Sequence, residues 1–147
     1  MNLTEISGKI TELLHISSNQ LSSWLEKNLS SIAQDWWSSL VLPSLSYQQG
    51  QRVERSQINS LNQLDLAALL RISDKNWYQL SQQCNLSYQD RNYVKEMQTI
   101  RNRWAHIDSV GVDDDDIYRD LDTIQRTLSL FGAAVEIISN VKELKKQ

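Results

Sequence analysis

The 147-residue sequence is poor in the residues that make turns, since it holds 4 glycines and 1 proline. Average usage is about 7% for glycine and about 5% for proline. Sheet-based folds need many turns, and turns draw on these residues. The scarcity therefore argues against sandwiches, barrels and most α/β folds. The length fits one domain, because domains usually run to about 100–200 residues.

Cysteine, long apolar runs and an excess of positive charge are lacking as well. Cys84 is the only cysteine, so no internal disulfide can form, and a reducing compartment fits. No stretch approaches the roughly 18 apolar residues of a membrane span, and the N-terminus lacks the pattern of a signal peptide. We therefore expect a cytoplasmic protein with no membrane contact. The net charge of −3 means that any contact with nucleic acid must be local.

Apolar residues recur at steps of three and four along most of the chain, which is typical of α-helices. The pattern predicts helices over about 3–16, 18–40, 60–72, 88–106 and 113–144, and a short helix around Trp77 and Leu80. Pro43 follows the second helix and ends it, because proline disfavours helical geometry in the preceding residue. We predict an all-α, antiparallel bundle of about five to six helices.

The predicted helices favour a single domain over residues 1–147. Residues 1–42 would form an N-terminal helical hairpin. Residues 43–58 would form an exposed connection, and the alternative that part of it is helical stays open. Residues 59–147 would form the remaining helices, which carry the candidate site.

The string RNRWAH, residues 101–106, is the sharpest local feature. It closes a predicted helix with a basic end, and seven aspartates follow within residues 107–122. Asn102 and His106 are four apart and share a helical face, with Arg101 beside them. A guanidinium can hold a phosphate with two hydrogen bonds, and an imidazole exchanges a proton near neutral pH. The string predicts a phosphodiester site that needs no metal. The alternative is that His106 only supplies a favourable charge at a helix C-terminus.

Other polar residues offer weaker signals. Asp113–Asp116 suggest either a metal site or the start of a helix with Asp113 as its cap, and the second interpretation is favoured. Their spacing lacks the glycine and the final glutamate of a calcium-binding loop. His15 has no partners for metal binding, and Cys84 is expected to be a buried structural thiol. We therefore predict no metal site and no cofactor.

The motif and its surroundings resemble the HEPN superfamily, whose signature is Arg-x4-His. The runs LDLAALLRISDKNWYQL and DRNYVKEMQTIRNRWAH are similar to one HEPN branch. That branch is found in a fungal nuclear RNA-surveillance endoribonuclease and in bacterial proteins encoded beside helicases and ATPases. The resemblance covers about residues 60–130 and is weaker before residue 60.

The resemblance implies an all-α bundle that forms a homodimer through its motif helices and cleaves RNA without a metal. Arg101, Asn102 and His106 would be catalytic, and the ribose 2′-hydroxyl would attack the adjacent phosphorus. The setting would be bacterial defence or a toxin, with an antitoxin or a helicase/ATPase as partner. The alternative is a non-catalytic HEPN module for dimerisation, or for nucleotide or nucleic-acid binding, in a larger ATP-dependent system. A related toxin group carries a tyrosine at the position of Asp108, so control by nucleotidylation of that tyrosine is not expected.

Five further residues complete the predicted site. Lys95 and Arg103 are expected to bind substrate. Trp104 either packs in the core or an interface, as its apolar stripe favours, or stacks on an RNA base. Asp65 lies either on the polar side of its helix or against Arg101 or Arg103. Asp108 is the other acidic candidate beside the site.

Overall fold

The computed structural model describes residues 2–106 and 112–147, and all regular structure within them is helical. The predicted all-α class is therefore confirmed. Seven α-helices in these residues slightly exceed the predicted five to six. Their bounds are α1 Leu3–Ile32, α2 Tyr47–Ser56, α3 Leu66–Lys75, α4 Trp77–Cys84, α5 Tyr88–Ala105, α6 Asp114–Leu130 and α7 Val135–Lys145.

The first helix is continuous where the sequence pattern predicts two. The Ser17 hydroxyl donates to the Leu13 carbonyl at 2.8 Å inside α1, so the serine is satisfied without breaking the helix. The expected hairpin within residues 1–42 is therefore wrong, because α1 runs straight through the predicted turn. The chain then leaves α1 through an extended Ala33 and makes a π-helical turn at Trp37–Val41.

The predicted final helix is broken into α6 and α7. Gly132 has φ of 75°, a left-handed conformation that suits glycine. The amides of Gly132 and Ala133 bond back to the carbonyls of Ser129 and Leu128, which closes α6 in a Schellman motif. The unbroken apolar spacing gave no sign of this stop, because it continues across the break.

The middle of the chain is more helical than the connection expected for residues 43–58. α2 occupies most of it, and Ser46 and Gln49 form its capping box. α3 begins at Leu66, later than predicted, after a short 3₁₀ turn over Leu61–Gln63.

Side chains cap the starts of both α5 and α6. Ser87 and Asp90 form the capping box of α5, and Asp113 caps α6 as expected. Asn85 takes the left-handed turn conformation after α4. Ser73 and Asp74 do not cap α4, which follows α3 directly through Asn76.

A continuous hydrophobic core takes buried side chains from all seven α-helices. α5 packs against both α3 and α6, and α1 packs against α3, α4, α5 and α6. In the described part of the chain, no helix combines the length and hydropathy that crossing a lipid bilayer would require. The C-terminal turn of α5 carries the RNRWAH string, so its position between α3 and α6 decides what each motif residue contacts.

Candidate functional site

The motif divides between two faces of the last turn of α5. Ile100 and Trp104 are buried in the core, whereas Asn102 and His106 are exposed. A helix turns by about 100° per residue, so Asn102 and His106 share the side that points away from the core. The apolar and the polar halves of RNRWAH thus separate without any strain in the backbone.

One face of the motif is fixed to α6 through Asp120. The Arg103 guanidinium donates to both carboxylate oxygens of Asp120 at 2.7 Å, and Trp104 Nε1 donates to one of them at 2.8 Å. The Asp120 side chain is only 2% exposed, so its charge depends on these partners. This face therefore holds α5 to α6, and the guanidinium of Arg103 is already neutralised.

The other face presents the residues that suit a phosphodiester. Arg101 is half-buried, and its Nη1 donates to the amide oxygen of Asn102 at 3.1 Å. Within the described residues the Arg101 guanidinium meets no carboxylate, so it keeps its charge for a ligand. His106 is the C-cap residue that follows α5, and its backbone N–H donates to the Arg103 carbonyl at 3.1 Å. An Arg, an amide and an imidazole therefore lie together at one end of the helix.

The helix dipole makes this end of α5 negative, which disfavours an anion. Binding of a phosphate here must come from side chains, since the backbone amides at this end are used within the helix. Arg101 is the charged group of the exposed face that can offset the dipole. Phosphate binding at this end of α5 would therefore depend on the charge of Arg101.

Lys95 and Arg103, the two residues expected to bind substrate, line a cleft between α5 and α6. Across this cleft the Arg119 guanidinium donates to Glu96 at 2.9 Å, and this hydrogen bond raises the pKa of Arg119. The cleft holds three cations and three carboxylates, the latter from Glu96, Asp116 and Asp120. Its charges are balanced, so it is a weaker phosphate site than the exposed face.

Trp104 is 5% exposed, and its indole nitrogen is bonded to Asp120. The structure therefore supports the interpretation that Trp104 packs in the core, because an RNA base could stack on the ring only if the ring left the core.

Asp65 and Asp108 were the two acidic candidates beside the site. Asp108 lies outside the described residues.

Asp65 contacts neither motif arginine. Its carboxylate caps α3 by accepting from the Ala68 amide at 2.9 Å, and it pairs with Arg52 at 3.3 Å. The polar-side interpretation of Asp65 is thus the one that the structure supports.

The acidic run Asp113–Asp116 forms the cap and first turn of α6, with Asp113 accepting from the Asp116 amide at 2.9 Å. Among the described residues no group of three or more His, Cys, Asp or Glu side chains could hold a metal ion.

Asp120 is the residue that the sequence interpretation missed. It lies three after Ile117 and four before Ile124, beside the apolar stripe of α6. A residue at this spacing faces the core, and a carboxylate is unusual there because an unpaired buried charge is costly. Asp120 on the buried face of α6 and the two arginines of RNRWAH on the preceding helix were the features from which a buried ion pair could have been predicted.

A family model described as Swt1-like HEPN matches residues 12–132. The chain belongs to this family. The match begins within α1 and includes α2, so the HEPN similarity extends well before residue 60, where the resemblance of the motifs alone is weaker. Comparisons with curated proteins and with solved structures gave no match.

Membership of the HEPN superfamily agrees with the all-helical structure and with the position of Arg101 and His106 in the matched region. HEPN domains include ribonucleases and nucleotide-binding modules, and the Swt1-like group points toward RNA endonucleases. Both classes bind phosphate, which is the chemistry that the exposed face of α5 offers.

Proposed function

We propose that this HEPN protein is a metal-independent endoribonuclease whose catalytic groups are Arg101, Asn102 and His106. The observation that carries the proposal is the contrast between two arginines of one helix turn. Arg103 is neutralised by a buried carboxylate, whereas Arg101 contacts a neutral amide on the exposed face with His106. The chain thus keeps one guanidinium of the motif available for a phosphodiester.

The proposed reaction is an in-line transesterification. The 2′-oxygen of the ribose bonds to the adjacent phosphorus as its proton leaves, and the bond from phosphorus to the 5′-oxygen breaks as that oxygen gains a proton. The products are a 2′,3′-cyclic phosphate and a 5′-hydroxyl. Arg101 would stabilise the charge that builds on the phosphoryl oxygens, Asn102 would orient Arg101, and His106 would transfer a proton.

A homodimer completes this mechanism. One proton leaves and one arrives on opposite sides of the phosphorus, and a single imidazole does not easily reach both. A two-fold axis near the end of α5 would supply His106 and Arg101 from both chains, in the isologous manner common among soluble dimers. We place the activity in bacterial defence or a toxin role, with an antitoxin or a helicase/ATPase as the controlling partner.

The test is cleavage of a labelled single-stranded RNA by the purified chain in excess EDTA. His106→Ala should lower the rate by about 10²- to 10⁴-fold, which is the usual contribution of general acid–base catalysis. The chain has 2 histidines, so His15→Ala is a matched control that should cleave at the wild-type rate. Wild-type cleavage by His106→Ala would reject the assignment, and a requirement for Mg²⁺ would reject the metal-free mechanism.

The second candidate is a non-catalytic module that binds nucleotide or nucleic acid. Two observations favour it. The net charge is −3, and Arg103 is paired with Asp120, so its guanidinium is not free to bind a phosphate. In that case the wild-type protein would bind RNA or nucleotide in the same EDTA buffer and leave the RNA intact.

A further inference from the structure

The outer face of α2 carries a set of exposed side chains that the site on α5 does not use. They are aromatic, amide and cationic, and they line a shallow depression: Tyr47, Gln48, Gln51, Arg52 and Arg55. At about 100° per residue they fall within one arc of about 140°, while Val53 points into the core. We call these five residues the α2 face. Tyr47 is 81% exposed, so packing does not explain its aromatic ring.

The charges of the α2 face are available to a ligand. Arg55 makes no ion pair within the described residues. Arg52 pairs with Asp65 at 3.3 Å, but the two side chains are 59% and 43% exposed. Such an open pair is weak, so a phosphate could replace Asp65 as the partner of Arg52. Glu54 lies at the edge of the arc and is the nearest opposing charge on the helix.

The α2 face lies toward the same end of the bundle as the motif. The Arg91 guanidinium in the first turns of α5 donates to Asp74 near the end of α3 at 2.9 Å, and α3 packs against α5. Along α3, Asp65 lies about 14 Å from Asp74, toward the N-terminus of that helix. Along α5, Arg101 lies about 15 Å from Arg91, toward the C-terminus. We infer from this contact that α3 and α5 run antiparallel, which would place Asp65, and Arg52 with it, about level with Arg101.

Asn102 in the motif lies on the solvent-exposed side of α5. Arg91 and Asn102 are eleven residues apart, which is close to three full turns, so they share one face of α5. Arg91 contacts α3, whereas Lys95, seven residues before Asn102, lines the cleft with α6, so Asn102 lies on the exposed side of α5 between the two. A strand bound at Arg101 and Asn102 can thus continue past the start of α3 toward α2.

We propose that the α2 face is a second contact surface for single-stranded RNA, which takes the segment next to the one held at Arg101. This inference rests on the proposed function. Arg52 and Arg55 would bind two backbone phosphates, Tyr47 would stack on a base, and the two glutamines would reach base or ribose edges. Interleaved cations and an exposed aromatic ring are the groups that bind single strands without sequence preference. This surface also supplies local positive charge that an acidic chain needs in order to hold RNA.

The test is the affinity of the full chain for a labelled single-stranded RNA, measured by fluorescence anisotropy from about 50 to 200 mM salt. All proteins carry His106→Ala, so that the RNA stays intact. Removing both arginines, Arg52→Ala with Arg55→Ala, should weaken binding about 25-fold at 0.1 M salt and lower the salt slope by about 1.4, since each phosphate contact on a single strand contributes about 0.7. Tyr47→Ala should weaken binding at least about fivefold and leave the slope unchanged, because it removes stacking and no charge.

Matched controls come from the same chain. Arg126→Ala and Tyr88→Ala remove an exposed arginine and an exposed tyrosine from other helices, and neither should change affinity or slope. Glu54→Gln should bind RNA at least as tightly as the parent. Thermal unfolding by circular dichroism confirms that each variant keeps its fold.

Two results overturn the inference and are distinguishable. If the parent binds RNA and the double arginine variant keeps its affinity and slope, the α2 face binds no RNA, and the proposed function stands. If the parent binds no RNA and the wild type cleaves none, the proposed function falls and the inference falls with it.

Discussion

The two sides of the last turn of α5 differ in what they do with the same kind of residue. On the side toward α6, Arg103 and Trp104 both donate hydrogen bonds to the carboxylate of Asp120. That carboxylate is buried, whereas the Arg103 side chain is partly exposed. On the other side, Arg101 donates a hydrogen bond to the amide oxygen of Asn102 and pairs with no carboxylate among the described residues, next to an exposed His106. A guanidinium that is paired with a buried charge stabilises a fold, whereas one that is not so paired can bind an anion. The contrast shows that adjacent arginines of one motif can serve stability and chemistry separately.

Removing each arginine should separate these two roles most clearly. Arg103→Ala leaves the Asp120 carboxylate buried without its cation, and we expect the free energy of unfolding to fall by about 3 kcal/mol. Arg101→Ala removes no such pair and should change stability by less than about 0.5 kcal/mol. Urea unfolding at pH 7 measures both values.

A double-mutant cycle completes this test. Asp120→Ala combined with Arg103→Ala should cost less than the sum of the two single changes, because the second change removes the charge that the first left unpaired. Equal losses for Arg101→Ala and Arg103→Ala, or additive losses in the cycle, would contradict the division between the two sides of α5.

The indole of Trp104 offers a finer test of the α6-facing side. Trp104→Phe keeps an aromatic ring and removes the hydrogen bond to Asp120, while Trp77→Phe changes an equally buried ring that makes no hydrogen bond within the described residues. Both variants create a small cavity, so their difference isolates the hydrogen bond. Trp104→Phe should lose about 2 kcal/mol more, as expected for a hydrogen bond to a charged acceptor. Equal losses in thermal or urea unfolding would show that the bond contributes nothing.

Asp122, two residues beyond Asp120 on α6, extends the comparison to a more open ion pair facing α7. Burial would raise the pKa of its carboxyl, but hydrogen bonds from Lys145 and Arg126 outweigh burial and lower that pKa. A lowered folded-state pKa stabilises the fold above the ordinary value of about 3.9, and this stability is lost as pH falls through the folded pKa. Asp122→Asn should therefore lower stability at pH 7 by less than about 1 kcal/mol.

The pH dependence provides the check on Asp122. The gap between Asp122→Asn and the wild type should narrow below about pH 4, where the wild-type carboxyl also becomes neutral. Thermal unfolding from neutral to acidic pH measures it. A gap that stays constant down to the most acidic pH would show that the carboxylate charge has no stabilising role.

Local signals in the sequence predicted some elements well and others not at all. The cap of α5 and the cap of α6 were predictable, because Ser87 with Asp90, and Asp113, act on amides only three residues away. Gly132 was passed over because the apolar spacing continues on both sides of it. The predicted break between residues 16 and 18 was wrong, because Ser17 hydrogen-bonds within the continuous α1. Propensity at such sites is a weak guide when packing along the whole of α1 favours continuity.

By itself the sequence determined that the protein is helical and that RNRWAH closes a basic helix with Asn102 and His106 on one face. Scarce glycine and proline, together with three- and four-residue spacing, act within a few positions of the chain, so they can be read without knowing the fold. Only the tertiary structure decided which arginine is engaged by Asp120 and that Asp65 pairs with Arg52. Those contacts join residues on different helices that are 13 and 17 positions apart in the sequence. They depend on the register and rotation that the shared core imposes on each helix, and no local pattern encodes these.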